Sequence, residues 1–246
     1  MTFIDNVDKI IKKQMTKTIS RLKAGLFMRV IGIDLSGPSN HKDTVLSLFE
    51  KQDRELKFLK LMKDVSDFQI LEEIEAQSKI DEVIIGIDAP LSYEDGGGDR
   101  QGDKLLRQFI ISLGMKSGSI MPPTFNRMVY LTLRGIKLTR EIENMNTFNP
   151  ISIVEVHPGA VIGSRLPYED IKYVLNYKQD LSARTFIRNW LGEQQIKELP
   201  AFIEDESHTI DACAAALGAW HWKDPWFEPT WLLPGNPPLH PYDYCC

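Results

Sequence analysis

The sequence VIGID at residues 30–34 and its near repeat EVIIGID at residues 82–88 decide the fold class. Each is a short, almost continuous apolar run that ends in an acidic residue, and each is followed by a proline-containing loop. Runs of this kind are typical of parallel strands that helices cover on both faces. The pair therefore predicts an α/β fold.

The segments around these two strands predict a mixed sheet. Residues 44–50 and 55–61 are strand candidates joined by a hairpin turn, and residues 67–79 have helical spacing. A hairpin makes its strands antiparallel, whereas a helical crossover returns the next strand parallel to the first or to a neighbour. Later candidates are helices at 104–113 and 125–144, a strand at 151–157 and a helix at 207–222. We therefore predict five strands in the order strand-strand-strand-helix-strand-helix-strand-helix, with a helical insertion between strands four and five.

Composition shifts at both ends divide the chain into three parts. Residues 1–27 have amphipathic helical spacing with six basic and two acidic residues, which favours a docked helix or an upstream extension over a targeting or membrane-surface helix. Residues 28–224 carry the α/β pattern. Residues 225–246 are rich in proline and tryptophan, lack periodicity, and are expected to wrap the surface.

The overall composition is that of an ordinary globular protein. The 246 residues carry a net charge of −5, which does not favour nucleic-acid binding by the molecule as a whole but leaves room for a local basic patch. Three cysteines make no disulfide framework, so we expect a reducing, cytoplasmic compartment. No apolar run is long enough to span a membrane, and the sequence does not fix an oligomeric state.

Four acidic residues are candidate metal ligands and catalytic residues. Asp34, Asp88 and Glu155 lie at or near the carboxyl ends of predicted strands, where α/β sheets bind ligands. Asp211 lies one turn into the last helix, among small residues that allow close packing on the sheet. Singly, each acid also fits a turn or a helix start, but Glu155 interrupts a buried strand, where an unpaired charge is costly. Carboxylate ligands suit Mg²⁺ or Mn²⁺ rather than zinc.

A basic segment, residues 100–140, contains eight basic residues and one acid. It occupies the insertion between the strands that carry Asp88 and Glu155, so Arg100 and Arg107 are candidates to bind a substrate phosphate. A solvated helix face explains the same charges almost as well. Ser36 and His208 are further candidate substrate-binding residues.

Five motifs in order resemble one known family. They are GIDLSG (32–37), GIDAPL (86–91), Arg100 with Asp103 and Arg107, VEVHPGA (154–160) and HTIDACAAAL (208–217). Together they resemble the family called domain of unknown function four-twenty-nine, which is described as predicted nucleases with a ribonuclease H-like fold. The resemblance implies that Asp34, Asp88 and Asp211 bind metal, with Glu155 as the family's own addition. The chain departs from many such nucleases because His208 stands near Asp211 where a further acid is usual.

The resemblance and the acids favour a metal-dependent nuclease that acts on nucleic acid or a nucleotide. One alternative is an actin-like or sugar-kinase-like phosphotransferase, in which the loop containing Ser36 would face nucleotide phosphates. That architecture normally needs two such domains, for which the chain is short. The other alternative is a non-catalytic member that keeps the acidic pocket for binding.

Overall fold

A single mixed sheet organises the structure, a computed structural model that describes residues 28–246. Its eight strands within that range are β1 (Arg29–Asp34), β2 (Val45–Gln52), β3 (Glu55–Lys63), β4 (Val83–Asp88), β5 (Ile151–Val156), β6 (Ile196–Lys197), β7 (Leu232–Leu233) and β8 (Tyr244–Cys245). The α-helices of the same range are α1 (Asp67–Ser78), α2 (Gln101–Ser112), α3 (Val129–Glu143), α4 (Pro158–Gly163), α5 (Ile171–Asn176), α6 (Leu181–Glu193) and α7 (Ser207–Lys223). The amphipathic helix expected over residues 1–27 lies outside the described residues.

The strand order is β6-β3-β2-β1-β4-β5-β8-β7. Strands β1, β2 and β3 form an antiparallel meander, and β1, β4, β5 and β8 run parallel. The predicted α/β class is confirmed. The prediction of five strands was wrong, because β6, β7 and β8 extend the sheet at its two edges. Strands of two residues carry no periodic signal that a sequence pattern could show.

The two faces of the sheet bury separate apolar clusters, as the pleat requires. On one face, Val30, Ile84 and Val154 pack against α7. On the other face, Ile31, Ile33, Ile85 and Ile87 pack with apolar residues of α1 and α3. Both clusters are inaccessible to solvent, which explains why β1 and β4 read as continuous apolar runs.

Close approach of α7 to the sheet depends on two glycines. A Cβ atom at Gly32 in β1 would overlap the carbonyl oxygen of Ala212, and a Cβ atom at Gly86 in β4 would collide with that of Ala215. Only glycine permits this separation between strand and helix backbones. The helix is therefore held directly against the strands that end in Asp34 and Asp88.

The C-terminal segment does more than wrap the surface. Strand β8 pairs in parallel with β5, so that Glu155 lies opposite Tyr244 and Val156 opposite Cys245. Tyr244, Cys245 and Cys246 are all buried. Among the described residues, no helix combines the length and the apolar character needed to cross a bilayer.

Candidate active site

Asp34 and Asp88 form the floor of the site. They are register partners at the carboxyl ends of the parallel strands β1 and β4. Gly32 and Gly86, two residues earlier, face α7, so the pleat directs Asp34 and Asp88 toward that same helix. The two acids therefore lie side by side on one face of the sheet, as their position at the strand ends predicts.

Asp211 on α7 is the third acid of this group, and only 1% of its surface is exposed. Its Oδ1 accepts a hydrogen bond of 2.5 Å from the Tyr177 hydroxyl, and its Oδ2 lies 3.1 Å from Lys178 Nζ. Both oxygens thus have a donor from the segment that follows α5. We call Asp34, Asp88 and Asp211 the acidic cluster.

His208 closes the cluster at the start of α7. Its Nδ1 lies 2.7 Å from Oδ2 of Asp34, and the imidazole is partly exposed. Ligand atoms of Asp34, His208 and Asp211 all lie within 4.8 Å of one another. The structure therefore brings together four of the residues that the sequence marked as candidates.

Mutual repulsion and loss of water shape the electrostatics of the acidic cluster. Burial raises the pKa of Asp34 to about 6; the His208 hydrogen bond opposes this shift and the Asp211 charge adds to it. Desolvation, then the charges of Asp34 and Asp211, raise the pKa of Asp88 well above its ordinary value. Attraction to Asp211 raises the pKa of Lys178, so this amine remains protonated. One lysine does not balance three clustered carboxylates.

Glu155 projects from β5 on the side away from α7, close enough for its charge to contribute to the raised pKa of Asp88. Val154 and Val156 pack toward α7, so the alternation of β5 turns Glu155 away from it. Its carboxylate accepts hydrogen bonds of 2.8 and 2.5 Å from Arg100, and one of 3.0 Å from the backbone N–H of Leu91. The Glu155 side chain is thus already paired, which is how a buried strand tolerates it.

Arg100 and Arg107, the candidate phosphate ligands, are both engaged by carboxylates. Nε of Arg100 donates to Asp103, and its two terminal nitrogens donate to Asp103, Glu155 and Ser92 at 2.5–3.1 Å. These bonds use the five donors of a buried guanidinium. Arg107 makes a bidentate pair with Asp99, 2.7 Å on each arm. In this arrangement the arginines neutralise acids of the fold.

Ser36 is tied into the loop after β1. Its hydroxyl donates to the backbone carbonyl of Asn40 and lies 2.6 Å from the hydroxyl of Thr44. Its backbone carbonyl accepts a hydrogen bond of 2.8 Å from the buried Arg134. Ser36 therefore belongs to this hydrogen-bond network and does not line the cleft beside the acidic cluster.

A cleft of about 700 Å³ opens beside the acidic cluster. Its charged and polar lining includes the three cluster acids, the ion-paired Arg100, Asp103 and Glu155, and Lys116, His157 and Lys178. Its apolar lining includes Leu35, Met115, Ile120, Met121, Met128, Leu131, Val174 and Leu175. The volume lies within the range of pockets that enclose small-molecule ligands.

A comparison with known proteins identified a family model whose matched region includes all five sequence motifs. The family model described as "Protein of unknown function (DUF429)" matches residues 32–237, most of the chain. The chain belongs to this family. Neither curated proteins nor solved structures gave a significant match. The resemblance to DUF429 is thus confirmed as a family assignment, and the family's description names no activity.

Tyr177 and Lys178 are site residues of this DUF429 protein that sequence reasoning missed. They follow the six-residue helix α5, which is too short to give a clear helical pattern. His157, at the end of β5, was recognised only as part of a motif. Its Nδ1 accepts a hydrogen bond of 3.1 Å from Ala160 N, and burial lowers its pKa, so the ring is neutral and caps α4. In the sequence, Tyr177 and Lys178 are only a tyrosine followed by a lysine, and that pair by itself indicates no function.

The donor set of this DUF429 site fits a hard divalent cation. Asp34, Asp88 and Asp211 all line the cleft, and ligand atoms of Asp34 and Asp211 lie within 4.8 Å of each other and of a His208 nitrogen. Carboxylate oxygens suit Mg²⁺ or Mn²⁺. Burial, and then mutual repulsion, raises the pKa values of Asp34 and Asp88, and a divalent ion would favour their charged forms.

Proposed function

We propose that this DUF429 protein is a metal-dependent phosphodiesterase that hydrolyses nucleic acid or a nucleotide and uses Mg²⁺ or Mn²⁺. The observation that carries the proposal is the acidic cluster. Asp34 and Asp88 lie side by side at the ends of β1 and β4, Asp211 on α7 is close enough for its charge to act on both, and all three line an open cleft. Clustered acids of which two, Asp34 and Asp88, have raised pKa values are characteristic of functional sites.

The proposal includes a ribonuclease H-like core. The central strand order β3-β2-β1-β4-β5, with α7 packed on one face, supports this assignment. Fold alone does not fix function, so the proposal depends on the acidic cluster.

Asp34, Asp88 and Asp211 would hold the metal ion. When bound, such an ion polarises a phosphoryl oxygen and lowers the pKa of a bound water. His208 orients Asp34 through its 2.7 Å contact with Oδ2. Tyr177 orients Asp211 through a hydrogen bond to Oδ1, and Lys178 pairs with Oδ2.

Lys178 supplies a positive charge beside Asp211. Its side chain is 62% exposed and reaches Asp211 from the rim of the cleft. A protonated amine at this position stabilises negative charge on a phosphate that enters the site. The arrangement of one lysine and a carboxylate-bound ion replaces the fully acidic set of many ribonuclease H-like nucleases.

Calorimetric titration with Mg²⁺ and Mn²⁺ tests the proposal directly. We expect binding to the wild type and its loss in Asp88→Asn, because Asp88 is the cluster acid with no stabilising hydrogen bond from the described residues. Glu72→Gln, an exposed acid on α1, is the matched control and should bind as the wild type does. Asp34→Asn should abolish metal-dependent cleavage, measured on nucleic-acid and on small phosphodiester substrates, without unfolding the protein. Unchanged binding in Asp88→Asn, or unchanged cleavage in Asp34→Asn, would refute the proposal.

We also propose a cytoplasmic location. Its support is that the three cysteines, Cys213, Cys245 and Cys246, are buried free thiols. Stable free thiols are typical of a reducing compartment.

A further inference from the structure

The basic segment is largely neutralised within the fold. Four of its eight basic residues make ion pairs with carboxylates: Arg100, Arg107, Arg134 and Lys137. Arg134 is buried and serves the loops around Asp67 and Thr44. The positive charge that the sequence concentrates in residues 100–140 is therefore not available as a continuous surface for phosphates.

The remaining basic residues of the segment do not form a track along the cleft. Lys104, Lys116, Arg127 and Arg140 are exposed, and of these only Lys116 lines the cleft. Lys178 also lines the cleft, and so does Arg100, whose donors are already bonded to Asp103, Glu155 and Ser92. A polymer needs a row of cations that follows its backbone, whereas two lysines can neutralise a single phosphodiester.

One wall of the cleft is apolar. Met115, Met121 and Met128, which we call the methionine wall, come from the segment between α2 and α3, and Leu131 extends it. Methionine side chains are flexible and polarisable and fit flat apolar groups of varied shape. A cleft of about 700 Å³ with this wall would enclose one or two nucleotide-sized groups.

We propose that the substrate is a small, nucleotide-sized phosphodiester and not a long nucleic acid. The phosphate lies at the acidic cluster between Lys116 and Lys178, and a base or similar flat group lies on the methionine wall. In the reaction, the oxygen of a water molecule bonds to phosphorus and the bond from phosphorus to one ester oxygen breaks. That ester oxygen leaves as an alcohol with a proton from the water. This inference rests on the proposed function of the same site.

Binding of three probes in the presence of Ca²⁺ tests the substrate class. The probes are a dinucleoside monophosphate, single-stranded DNA of about thirty residues and duplex DNA of the same length, each titrated at two salt concentrations. We expect one dinucleoside monophosphate per chain, with weak salt dependence, and no tighter binding of either polymer. Lys116→Gln should weaken binding of the small probe about tenfold, because one charge-assisted contact is lost. Lys104→Gln, an exposed lysine of the same segment outside the cleft, should not change it.

Two results would overturn the inference. One is binding of either polymer at least tenfold tighter than the small probe, with a steep salt dependence that indicates many phosphate contacts. The other is no binding of the small probe at millimolar concentration. Cleavage of a polymer with Mn²⁺ would then leave the proposed function intact. Absence of both divalent-ion binding and cleavage would instead remove the proposed function itself.

Discussion

His208 Nδ1 and Asp34 Oδ2 lie 2.7 Å apart and join the first turn of α7 to the end of β1. The hydrogen bond to the carboxylate raises the pKa of His208, whereas burial raises the pKa of Asp34 against the opposing effect of His208. The pair therefore favours a bound proton when no cation is present. A divalent ion at the acidic cluster would compete with that proton.

The metal-free protein should lose stability as pH rises through the pKa values of this pair. The folded-state pKa of Asp34 is about 6, above its ordinary 3.8. The stability that depends on a protonated Asp34 therefore begins to fall near pH 4 and is lost above pH 6. His208 acts in the same direction, because its raised pKa stabilises the folded state at low pH and this effect disappears as it deprotonates. Urea unfolding in EDTA measures this effect. Between pH 5 and pH 8, the free energy of unfolding of the wild type should fall by about 1–2 kcal/mol more than that of Asp34→Asn.

Addition of Mn²⁺ near pH 8 should restore the lost stability of the wild type and leave Asp34→Asn unchanged, since binding to the folded state alone stabilises it. An identical pH slope in wild type and variant would show that Asp34 does not carry the effect.

Lys178→Gln should strengthen divalent-ion binding several-fold while it slows hydrolysis. The Lys178 amine beside Asp211 repels a metal ion, so its removal favours metal binding. The substitution also removes a charge that would stabilise the phosphate. Lys172→Gln on α5 is the control, because Lys172 does not line the cleft. Calorimetry and steady-state kinetics give the two readouts. Weaker metal binding in Lys178→Gln would mean that Lys178 mainly holds Asp211 in place.

The sequence predicted the central fold because long elements leave clear patterns. The apolar runs of β1 and β4 and the small residues of α7 indicated which helix lies on which strands, and so placed Asp34, Asp88 and Asp211 together. Nothing local to the sequence indicated β8, whose two residues are buried by pairing with β5. Strands of this length are defined by distant partners.

Side-chain partners at the site could not be predicted in the same way. The alternation of β5 separates Glu155 from the valines that face α7, but the sequence does not show that the acidic cluster lies on the valine side. Nor does a basic segment show which of its arginines pair with acids nearby, as Arg107 does with Asp99. Ion pairs depend on distances that only the tertiary fold sets.

Gly32→Ala should destabilise the protein and weaken metal binding together. Its Cβ atom would overlap the carbonyl oxygen of Ala212 on α7, so the helix must shift and carry Asp211 away from Asp34. We expect a loss of about 2–4 kcal/mol in the free energy of unfolding, as for other forced overpacking. Gly37→Ala is the matched control, since nothing lies within 4 Å of a Cβ atom there. A Gly32→Ala variant as stable as Gly37→Ala would contradict the close packing of α7 on β1.

Glu155→Gln separates the structural role of this acid from the metal-binding role that the sequence favoured. The substitution leaves the buried Arg100 with Asp103 as its remaining carboxylate partner, so the free energy of unfolding should fall by about 3 kcal/mol. Divalent-ion affinity should stay within about twofold of the wild type, because the Glu155 oxygens are already occupied by Arg100 and the Leu91 N–H. Calorimetry below the unfolding temperature measures the affinity, and urea unfolding measures the stability. Loss of metal binding in a folded Glu155→Gln protein would show instead that Glu155 leaves Arg100 to bind the ion.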